Sequence, residues 1–421
     1  MNYKISFLAL ISTLILLFTS CSTHQKINKF NTASTYVDEF LGSFMQQQIF
    51  HQNDSISEMA IRIDASKIPG LKSNQVDVYS LMSFKYEVYT SLNKKDIVQS
   101  DSYKLAELIP YDKLKSGAVE IKIALKLKQN HHYIILLSVQ DQVNKKNYFK
   151  MLRIEKNMTS PENYRVITEN GDLLWYSWIN KKQKIKIQYR QTSQKQIFLT
   201  YFEPKFSPAP TPYSQVETSS LEYNNVKPFE TYKLRLNNGF SELIQLPKDG
   251  AYIIHKDKGL VEGKLLCLFF NSYPLINNDA QKVFALRYLN SRKEFSQMLQ
   301  DDPSHTVQEF WFFEGRSTER SQQMMTTYYS RVQRANELFT SYKEGWKTDR
   351  GMIFMIYGPP DHVYNETDRE VWEYGAEASY NDLQFDFLIT KTPLNQLEYV
   401  LLHQKEYKDS WYAVVQNWRD K

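Results

Sequence analysis

The chain has 421 residues, of which 42% are hydrophobic and 24% charged, a composition typical of a globular protein with two or three domains. It has only 13 glycines and no Gly-x-Gly-x-x-Gly or Gly-x-x-x-x-Gly-Lys-Ser/Thr pattern, so no segment is expected to cradle a nucleotide. The net charge of +5 comes from 52 basic and 47 acidic residues spread along the chain, which argues against nucleic acid as a partner because a phosphate backbone needs a concentrated basic surface.

The N-terminus has the pattern of an export signal. Lys4 precedes the apolar stretch Ile5 to Phe18, which suits a signal peptide and is too short to span a bilayer as a helix. The following residues, Phe18-Thr19-Ser20-Cys21, resemble the lipobox of bacterial lipoproteins, in which the cysteine is acylated. We therefore predict a signal peptide over residues 1–20, lipidation of Cys21 and a lipidated tether over residues 21–57. The alternative is an ordinary secretory signal whose cleavage site happens to precede a cysteine.

The second cysteine, Cys267, is predicted to be structural. It lies in the apolar run 265–270, which reads as a buried strand with cysteine as a small hydrophobic residue. A catalytic thiol would need an electropositive and partly open setting. After lipidation of Cys21, the remaining thiol would have no partner for an internal disulfide bond.

The first two thirds of the chain are predicted to be β-structure. Apolar and polar residues alternate with period two in several short runs, which is typical of half-buried strands. The clearest runs are Met59 to Ile63, Ile121 to Leu125, Tyr133 to Val139, Tyr148 to Ile154, Ile185 to Tyr189, Ile197 to Tyr201 and Tyr232 to Leu236. These runs favour one or two antiparallel β-sandwiches, at residues 58–157 and 158–275.

The remaining residues, 276–421, are predicted to form an α+β domain with helices packed on a small antiparallel sheet. Apolar residues recur at intervals of three and four over Ala280 to Leu299 and over Thr318 to Tyr342, which predicts helices. Further predicted elements are strands at Met352 to Tyr357, Val371 to Tyr374, Leu383 to Thr390 and Tyr399 to His403, and a helix at Trp411 to Trp418.

One motif in this domain resembles a known family. The run Gly345-Trp346-Lys347-Thr348-Asp349-Arg350-Gly351, with a later Gly-Pro-Pro-Asp turn, is similar to the signature of the GWxTD domain family. The resemblance implies an exported bacterial protein with a β-rich N-terminal region and a C-terminal α+β domain, for which no reaction is established. The residues singled out as structural or partner-binding are Gly345, Trp346, Thr348, Asp349, Arg350, Gly351, Gly358, Pro359, Pro360, Asp361, Trp372 and Tyr374.

These motif residues allow a structural interpretation. Gly345 would end the preceding helix in a left-handed conformation, and Trp346 would fold back as an apolar anchor. Thr348 and Asp349 would accept hydrogen bonds from N–H groups two or three residues on, and Gly351 would relax the entry into a strand. The Gly-Pro-Pro-Asp turn would end that strand because neither proline can pair in a central ladder.

A chemical interpretation takes Asp349 and Asp361 as paired carboxylates, with Arg350 and His362 beside them, for acid–base hydrolysis or for a hard cation. An extended strand between the two carboxylates would hold them roughly 30 Å or more apart, which disfavours a catalytic pair. The eight histidines form no His-x-x-x-His pair, and no cysteine cluster is present, so no metal site and no cofactor are expected.

The sequence thus favours a non-catalytic protein-binding or scaffold component of an envelope assembly or secretion machine. It would be anchored to the outer membrane through its lipid, would face the periplasm, and would bind envelope or outer-membrane proteins. Trp311, Trp372 and Trp411 are candidate interface residues if they are exposed. The alternative functions are a hydrolase or a glycan-binding protein acting on cell-wall or secreted polymers.

Overall fold

The computed structural model describes most of the chain. The described residues are 26–37, 45–64, 82–108, 117–142, 145–203, 206–215, 228–259, 262–312, 317–375, 383–392, 394 and 396–419. The predicted signal peptide and Cys21 lie outside these residues. Within them, no helix combines the length and the apolar character needed to cross a membrane.

The described residues contain twenty strands and seven α-helices. The strands are β1 Met45–His51, β2 Ile56–Asp64, β3 Met82–Tyr89, β4 Ile97–Lys104, β5 Ala118–Lys126, β6 His131–Asp141, β7 Lys146–Lys156, β8 Tyr164–Thr168, β9 Trp178–Ile179, β10 Lys184–Tyr189, β11 Gln196–Phe202, β12 Glu230–Asn237, β13 Phe240–Ser241, β14 Ile244–Gln245, β15 Gly250–His255, β16 Lys264–Leu268, β17 His362–Asn365, β18 Arg369–Tyr374, β19 Leu383–Lys391 and β20 Leu397–Leu401. The helices are α1 Leu105–Leu108, α2 Asp279–Ala285, α3 Arg292–Met298, α4 Pro303–Trp311, α5 Thr318–Phe339, α6 Asp349–Tyr357 and α7 Tyr407–Arg419.

The first β region is a sandwich of two antiparallel sheets. One sheet has the order β1-β2-β5 and the other β4-β3-β6-β7. Alternate residues of both sheets meet in one core, for example Met59 and Ile61 from β2 and Phe84 and Ile135 from β3 and β6. This alternation is the period-two pattern of the sequence, and it confirms the predicted strands in this region.

The second β region is a nine-stranded sheet that closes around its own core. Its order is β14-β10-β13-β12-β11-β15-β16-β9, with β8 paired to β10. All pairs are antiparallel except β16 with β9. Ile185 and Ile187 of β10 share a core with Leu199 of β11 and Ile254 of β15, so the two halves of the sheet face each other.

The C-terminal region is α+β, as predicted. Strands β17-β18-β19-β20 form an antiparallel meander, and its buried face packs against helices α5, α6 and α7. The fold class expected from the sequence, a mainly β N-terminal part followed by an α+β domain with a small antiparallel sheet, is therefore confirmed. The helix predicted over Ala280 to Leu299 is interrupted: α2 continues into a 3-10 turn, Leu286–Leu289, and α3 begins after the capping residue Ser291.

Residues 26–57 were expected to belong to a tether, and this expectation is wrong for the part that the structure describes. Strand β1 lies within this range and pairs with β2 along its whole length. The N-terminal segment, residues 26–37, contains two 3-10 turns and packs between the first sandwich and the C-terminal sheet. The Phe30 ring lies 4.5 Å from that of Phe149 in β7, and the Thr32 N–H donates to the Val363 carbonyl of β17 at 2.9 Å.

A further apolar cluster joins the second β region to the C-terminal domain. Cys267 of β16 lies in this cluster, fully buried, beside Tyr273 and Tyr342. Its thiol donates to the Ser341 carbonyl at 3.1 Å, and burial raises the pKa of this thiol. The structural interpretation of Cys267 is therefore confirmed.

Candidate functional site

The motif segment, residues 344–361, forms a 3-10 turn and a helix rather than a turn and a strand. Helix α6, Asp349–Tyr357, occupies the range where we predicted a strand at Met352 to Tyr357, so that prediction is wrong. Residues 352–356 are all buried because α6 is wedged between α5 and the β-sheet. A run that is apolar on every side carries no period, and periodicity alone cannot then distinguish a helix from a strand.

The motif glycines permit close backbone contacts. A Cβ atom on Gly345 would lie 2.0 Å from the carbonyl oxygen of Ala335 in α5. A Cβ atom on Gly351 would lie 1.9 Å from the carbonyl oxygen of Gly345. The predicted roles, a left-handed helix end at Gly345 and a relaxed strand entry at Gly351, are wrong. Gly345 lets the turn pack against α5, and Gly351 lets α6 pack against the turn, each at a distance that no other residue allows.

Gly358 is the motif glycine with a left-handed conformation, at φ 90°, and it ends α6. Its N–H donates to the Phe354 carbonyl at 2.9 Å, and its own carbonyl accepts from the Tyr374 hydroxyl at 2.9 Å. Pro359 and Pro360 follow and cannot continue a helix. The predicted stop at Gly-Pro-Pro-Asp is thus present, but it ends a helix and not a strand.

Trp346 and Thr348 hold the turn that precedes α6. Trp346 is 3% exposed, and its backbone N–H donates at 3.1 Å to the side-chain oxygen of Asn336, a buried residue of α5. Thr348 is the N-cap of α6: its hydroxyl accepts from the Gly351 N–H at 3.0 Å and donates to the Gly345 carbonyl at 2.7 Å. An N-cap of this type stabilises a helix by about 1 kcal/mol. The predicted anchor at Trp346 and the predicted hydrogen bond to an N–H three residues on from Thr348 are confirmed.

The two motif carboxylates bind separate backbone amides. Asp349 accepts from the Leu401 N–H at 3.0 Å, which ties the N-terminus of α6 to β20, and a carboxylate is favoured at a helix N-terminus. Asp361 accepts from the Gly375 N–H at 2.8 Å. Asp349 is the first of the nine residues of α6 and Asp361 follows the other end of this helix, which is about 13 Å long at 1.5 Å per residue. The described residues contain no group of three or more His, Cys, Asp or Glu side chains that is suited to a metal ion.

Arg350 is the motif residue that reaches other parts of the chain. Its guanidinium lies 3.3 Å from the Glu370 carboxylate of β18 and 3.3 Å from the Tyr36 hydroxyl. It also lies over the Tyr399 ring of β20, 3.5 Å from the ring centroid. Arg350 therefore joins α6, two strands of the sheet and the N-terminal segment.

Glu370 is the centre of this network. Its carboxylate is buried and accepts hydrogen bonds from the Tyr36 hydroxyl and from the Trp372 indole N–H, both at 2.8 Å. Burial, and then the Glu370 charge, raise the pKa of the Tyr36 phenol well above its usual value, so this hydroxyl stays a donor. A buried charge is tolerated when it is both paired and hydrogen-bonded, as Glu370 is here.

Beside this network lies a cavity of about 310 Å³, which we call the Arg350 cleft. It opens where the N-terminal segment, the first sandwich, the loop before β9 and the C-terminal domain meet. Its lining residues are Thr32, Thr35, Tyr36, Met45, Gln46, Gln47, Lys150, Met151, Trp175, Tyr176, Glu337, Leu338, Arg350, Asn365, Glu370 and Tyr399.

Three tryptophans that we predicted as interface residues are buried. Trp311 and Trp372 are 0% exposed and Trp411 is 2% exposed. They belong to the core of the C-terminal domain, so this prediction is wrong. Tyr374 is also buried, and its hydroxyl holds the end of α6 as described above.

Sequence reasoning missed the partners of Arg350. Glu370 lies two residues before Trp372 on β18 and therefore on the same face of the sheet, a signal that was available. Tyr36 lies 334 residues from Glu370, and no local pattern links the two. Lys150 and Gln47 enter the cleft from β7 and β1, and periodicity marks them only as polar strand residues.

Comparison with known proteins identifies one family. Residues 250–420 match the GWxTD domain, beginning at β15 and including Arg350, Glu370, Trp372 and Tyr399 of the Arg350 network but not Tyr36. None of the curated proteins compared with the chain matches it.

Similar solved structures are distant. A Parabacteroides merdae β-glucuronidase aligns at 13% identity over 31% of this chain and 15% of its own length, with a TM-score of 0.18. The C-terminal domain of the antigen I/II polypeptide BspA from Streptococcus agalactiae aligns at 8% identity over 53% of this chain and 99% of that domain, with a TM-score of 0.20. The C-terminal domain of the antigen I/II-family protein AspA from Streptococcus pyogenes aligns at 8% identity over 54% of this chain and 99% of that domain, with a TM-score of 0.19. These TM-scores carry no argument about fold or function. The motif and the family match together show that the chain carries a GWxTD domain over residues 250–420.

Proposed function

We propose that this protein is a lipoprotein anchored through Cys21 in the outer membrane, facing the periplasm, where it serves as a non-catalytic scaffold that binds other envelope proteins. The observation that carries the proposal is the position of the motif in the fold. Arg350 bonds Glu370 of the C-terminal sheet and Tyr36 of the N-terminal segment, while that segment packs on the first sandwich. The motif thus joins distant parts of the chain into one body.

The bonding of the motif carboxylates supports a scaffold over a hydrolase. Asp349 and Asp361 bind backbone amides of two different segments, as an architectural role requires. Acid–base hydrolysis would need two carboxyl groups that converge on one substrate bond.

The position of Lys26 supports the anchor. Lys26 pairs with Asn93 in an isolated β-bridge, so the N-terminal segment is attached to the body from that residue. Five residues link Cys21 to Lys26, a reach of at most about 18 Å when fully extended. Acyl chains on Cys21 would therefore hold the folded part of the protein close to the lipid headgroups. The connection between β3 and β4, which contains Lys95, would lie on the side nearest to them. Several acyl chains on one residue give stable anchoring.

Metabolic labelling tests the anchor. Cells fed an alkyne-bearing fatty acid should incorporate label into the wild-type protein, and the Cys21→Ala variant should carry no label because the acylated thiol is absent. Cys267→Ala is the matched control, since the buried Cys267 thiol is out of reach of an acylating enzyme and the label should persist. Equal label on Cys21→Ala and on the wild type would show that the lipid lies elsewhere. No label on either protein would show that the lipid is absent.

Co-purification tests the scaffold role. After mild detergent extraction from its own membranes, the tagged protein should elute with an outer-membrane or periplasmic protein in a fixed ratio, because a scaffold holds its partner at equilibrium. A second lipoprotein with the same tag serves as the control for detergent carry-over. Elution of the protein alone, both with and without prior crosslinking, would count against a scaffold while leaving the lipid anchor intact.

A further inference from the structure

Among the residues that the structure describes, one ammonium group and one buried side-chain oxygen of the Arg350 cleft have no partner, and these two groups point to a ligand. We propose that the cleft binds a small molecule that carries a carboxylate and a neighbouring hydrogen-bond donor. The carboxylate would pair with the Lys150 ammonium group, and the donor would bind the side-chain carbonyl oxygen of Gln47. This inference is independent of the lipid anchor and of the scaffold role.

Lys150 supplies the positive charge. Its half-buried side chain lines the cleft from β7, and its ammonium group has no hydrogen bond or ion pair within the described part of the chain. Two cations that also lie at or near the cleft are engaged: Arg334 with Glu337 at 2.9 Å, and Arg350 with Glu370 at 3.3 Å. Lys150, in contrast, has no anion among the described residues, and a partly desolvated ammonium group attracts an anion more strongly than a solvated one.

Gln47 supplies the second contact. Its side-chain carbonyl oxygen is buried at the cleft wall and accepts no hydrogen bond from the residues that the structure describes. Buried acceptors of this kind are uncommon, because the protein loses the hydrogen bonds to water without replacing them. A ligand N–H or O–H group would restore the missing bond.

The size and the walls of the cleft fit a ligand of one sugar ring or two amino-acid residues. Its volume of about 310 Å³ lies at the small end of ligand pockets. Trp175, Tyr176 and Tyr399 supply aromatic surface, which packs against sugar rings and peptide side chains alike. Acidic sugars and peptide carboxyl ends are therefore the two sources of the required chemistry.

The protonation of Lys150 gives the site a pH signature. Burial, with a further contribution from the charge of Arg334, lowers the pKa of Lys150 to about 8. The titratable and charged groups around it are Arg334 and Glu337 of α5, Arg350 of α6, Glu370 of β18, and the phenols of Tyr36, Tyr176 and Tyr399. Burial raises the pKa of all three phenols, so they stay neutral. Affinity for a carboxylate should consequently fall as the pH rises through about 8 and Lys150 loses its proton.

Calorimetric titration of the detergent-solubilised full chain tests the site with four probes. Galacturonate and acetyl-Ala-Ala carry the carboxylate, while galactose and acetyl-Ala-Ala amide are their counterparts without it. We expect at least one acid to bind. Its uncharged counterpart should bind at least about tenfold more weakly, because it lacks one charge-assisted hydrogen bond. Binding of galacturonate alone assigns acidic sugars, and binding of acetyl-Ala-Ala alone assigns peptide ends.

Variants separate the site from nonspecific binding. Lys150→Met should weaken the bound acid at least about tenfold. It should melt at the same or a higher temperature than the wild type, because the ammonium group has no partner among the described residues to lose. Lys150→Arg retains the charge and should retain binding, and Lys146→Met, an exposed lysine of the same strand, should bind as the wild type does. Failure of both acids to bind at about 10 mM, or equal binding by Lys150→Met, would overturn the proposal.

Discussion

Replacing Trp346 by alanine is expected to lower the free energy of unfolding of the C-terminal domain by about 3 to 5 kcal/mol, the usual cost of removing a large aromatic side chain from a core. Trp346 is 3% exposed, and its ring lies edge-on to those of Phe284 and Tyr288, with centroids 6.0 and 6.1 Å away. These two neighbours lie in α2 and in the 3-10 turn that follows it, so the cavity cannot close without moving both elements. Since domains are stable by about 5–15 kcal/mol, this variant should be partly unfolded at 37 °C.

Urea unfolding followed by circular dichroism measures this effect. The control is Tyr412→Ala, because Tyr412 is 52% exposed and its ring contacts only the half-buried Tyr213 among the described rings. That variant should lose less than about 1 kcal/mol. A loss below about 1 kcal/mol for Trp346→Ala as well would mean that the motif tryptophan does not anchor the domain.

The β region was predictable because its strands are half buried. In β5 the apolar residues Ile121, Ile123 and Leu125 face the sandwich core, and the residues between them, Lys122 and Ala124, face away. Burial on one face imposes period two on the sequence, and this period survives whatever the tertiary contacts are. Helix α5 was predictable for the same reason, with Tyr328, Val332, Ala335 and Phe339 on its buried side.

Helix α6 was predicted as a strand although its end signals were present in the sequence. Thr348 followed by Asp349 is a helix start, and Gly358 followed by Pro359 is a helix stop. The apolar run between them is buried on all sides and carries no period, so hydrophobicity alone does not distinguish a helix from a strand there. Cap residues are therefore better guides than hydrophobicity where an element lies wholly inside a domain.

The candidate cleft was out of reach of sequence reasoning. Its residues come from β1, β7, the loop before β9 and the C-terminal domain, and they are brought together by the packing of separate units. In the sequence, Lys150 and Gln47 look like ordinary strand residues. Only the structure shows that the Lys150 ammonium group and the Gln47 carbonyl oxygen have no partner among the described residues. The same holds for Trp311, Trp372 and Trp411, since sequence gives their size but not their burial.

Replacing Glu370 by glutamine is expected to cost about 3 to 5 kcal/mol, because it leaves the Arg350 guanidinium without its anion in a mostly buried site. The Glu370 side chain is 5% exposed and that of Arg350 17%. The exposed pair of Lys248 with Glu230, whose side chains are 45% and 43% exposed, provides the control. Glu230→Gln should leave the free energy of unfolding nearly unchanged, since water screens that pair.

A double-mutant cycle distinguishes a buried ion pair from the mere loss of packing. Arg350→Met alone should also destabilise the protein, because it leaves the Glu370 carboxylate buried with only its two neutral donors, Tyr36 and Trp372. The double variant Arg350→Met with Glu370→Gln should be more stable than the sum of the two single losses predicts, since neither charge then remains unpaired. Strict additivity would mean that the two side chains do not interact.

Because Tyr36 donates to Glu370, the single Glu370→Gln variant should also loosen the N-terminal segment, and faster proteolytic cleavage within residues 26–37 would report this. Cleavage at the wild-type rate would show that the backbone bonds of Thr32 to β17 suffice to hold the segment, and that the motif joins it to the domain only weakly.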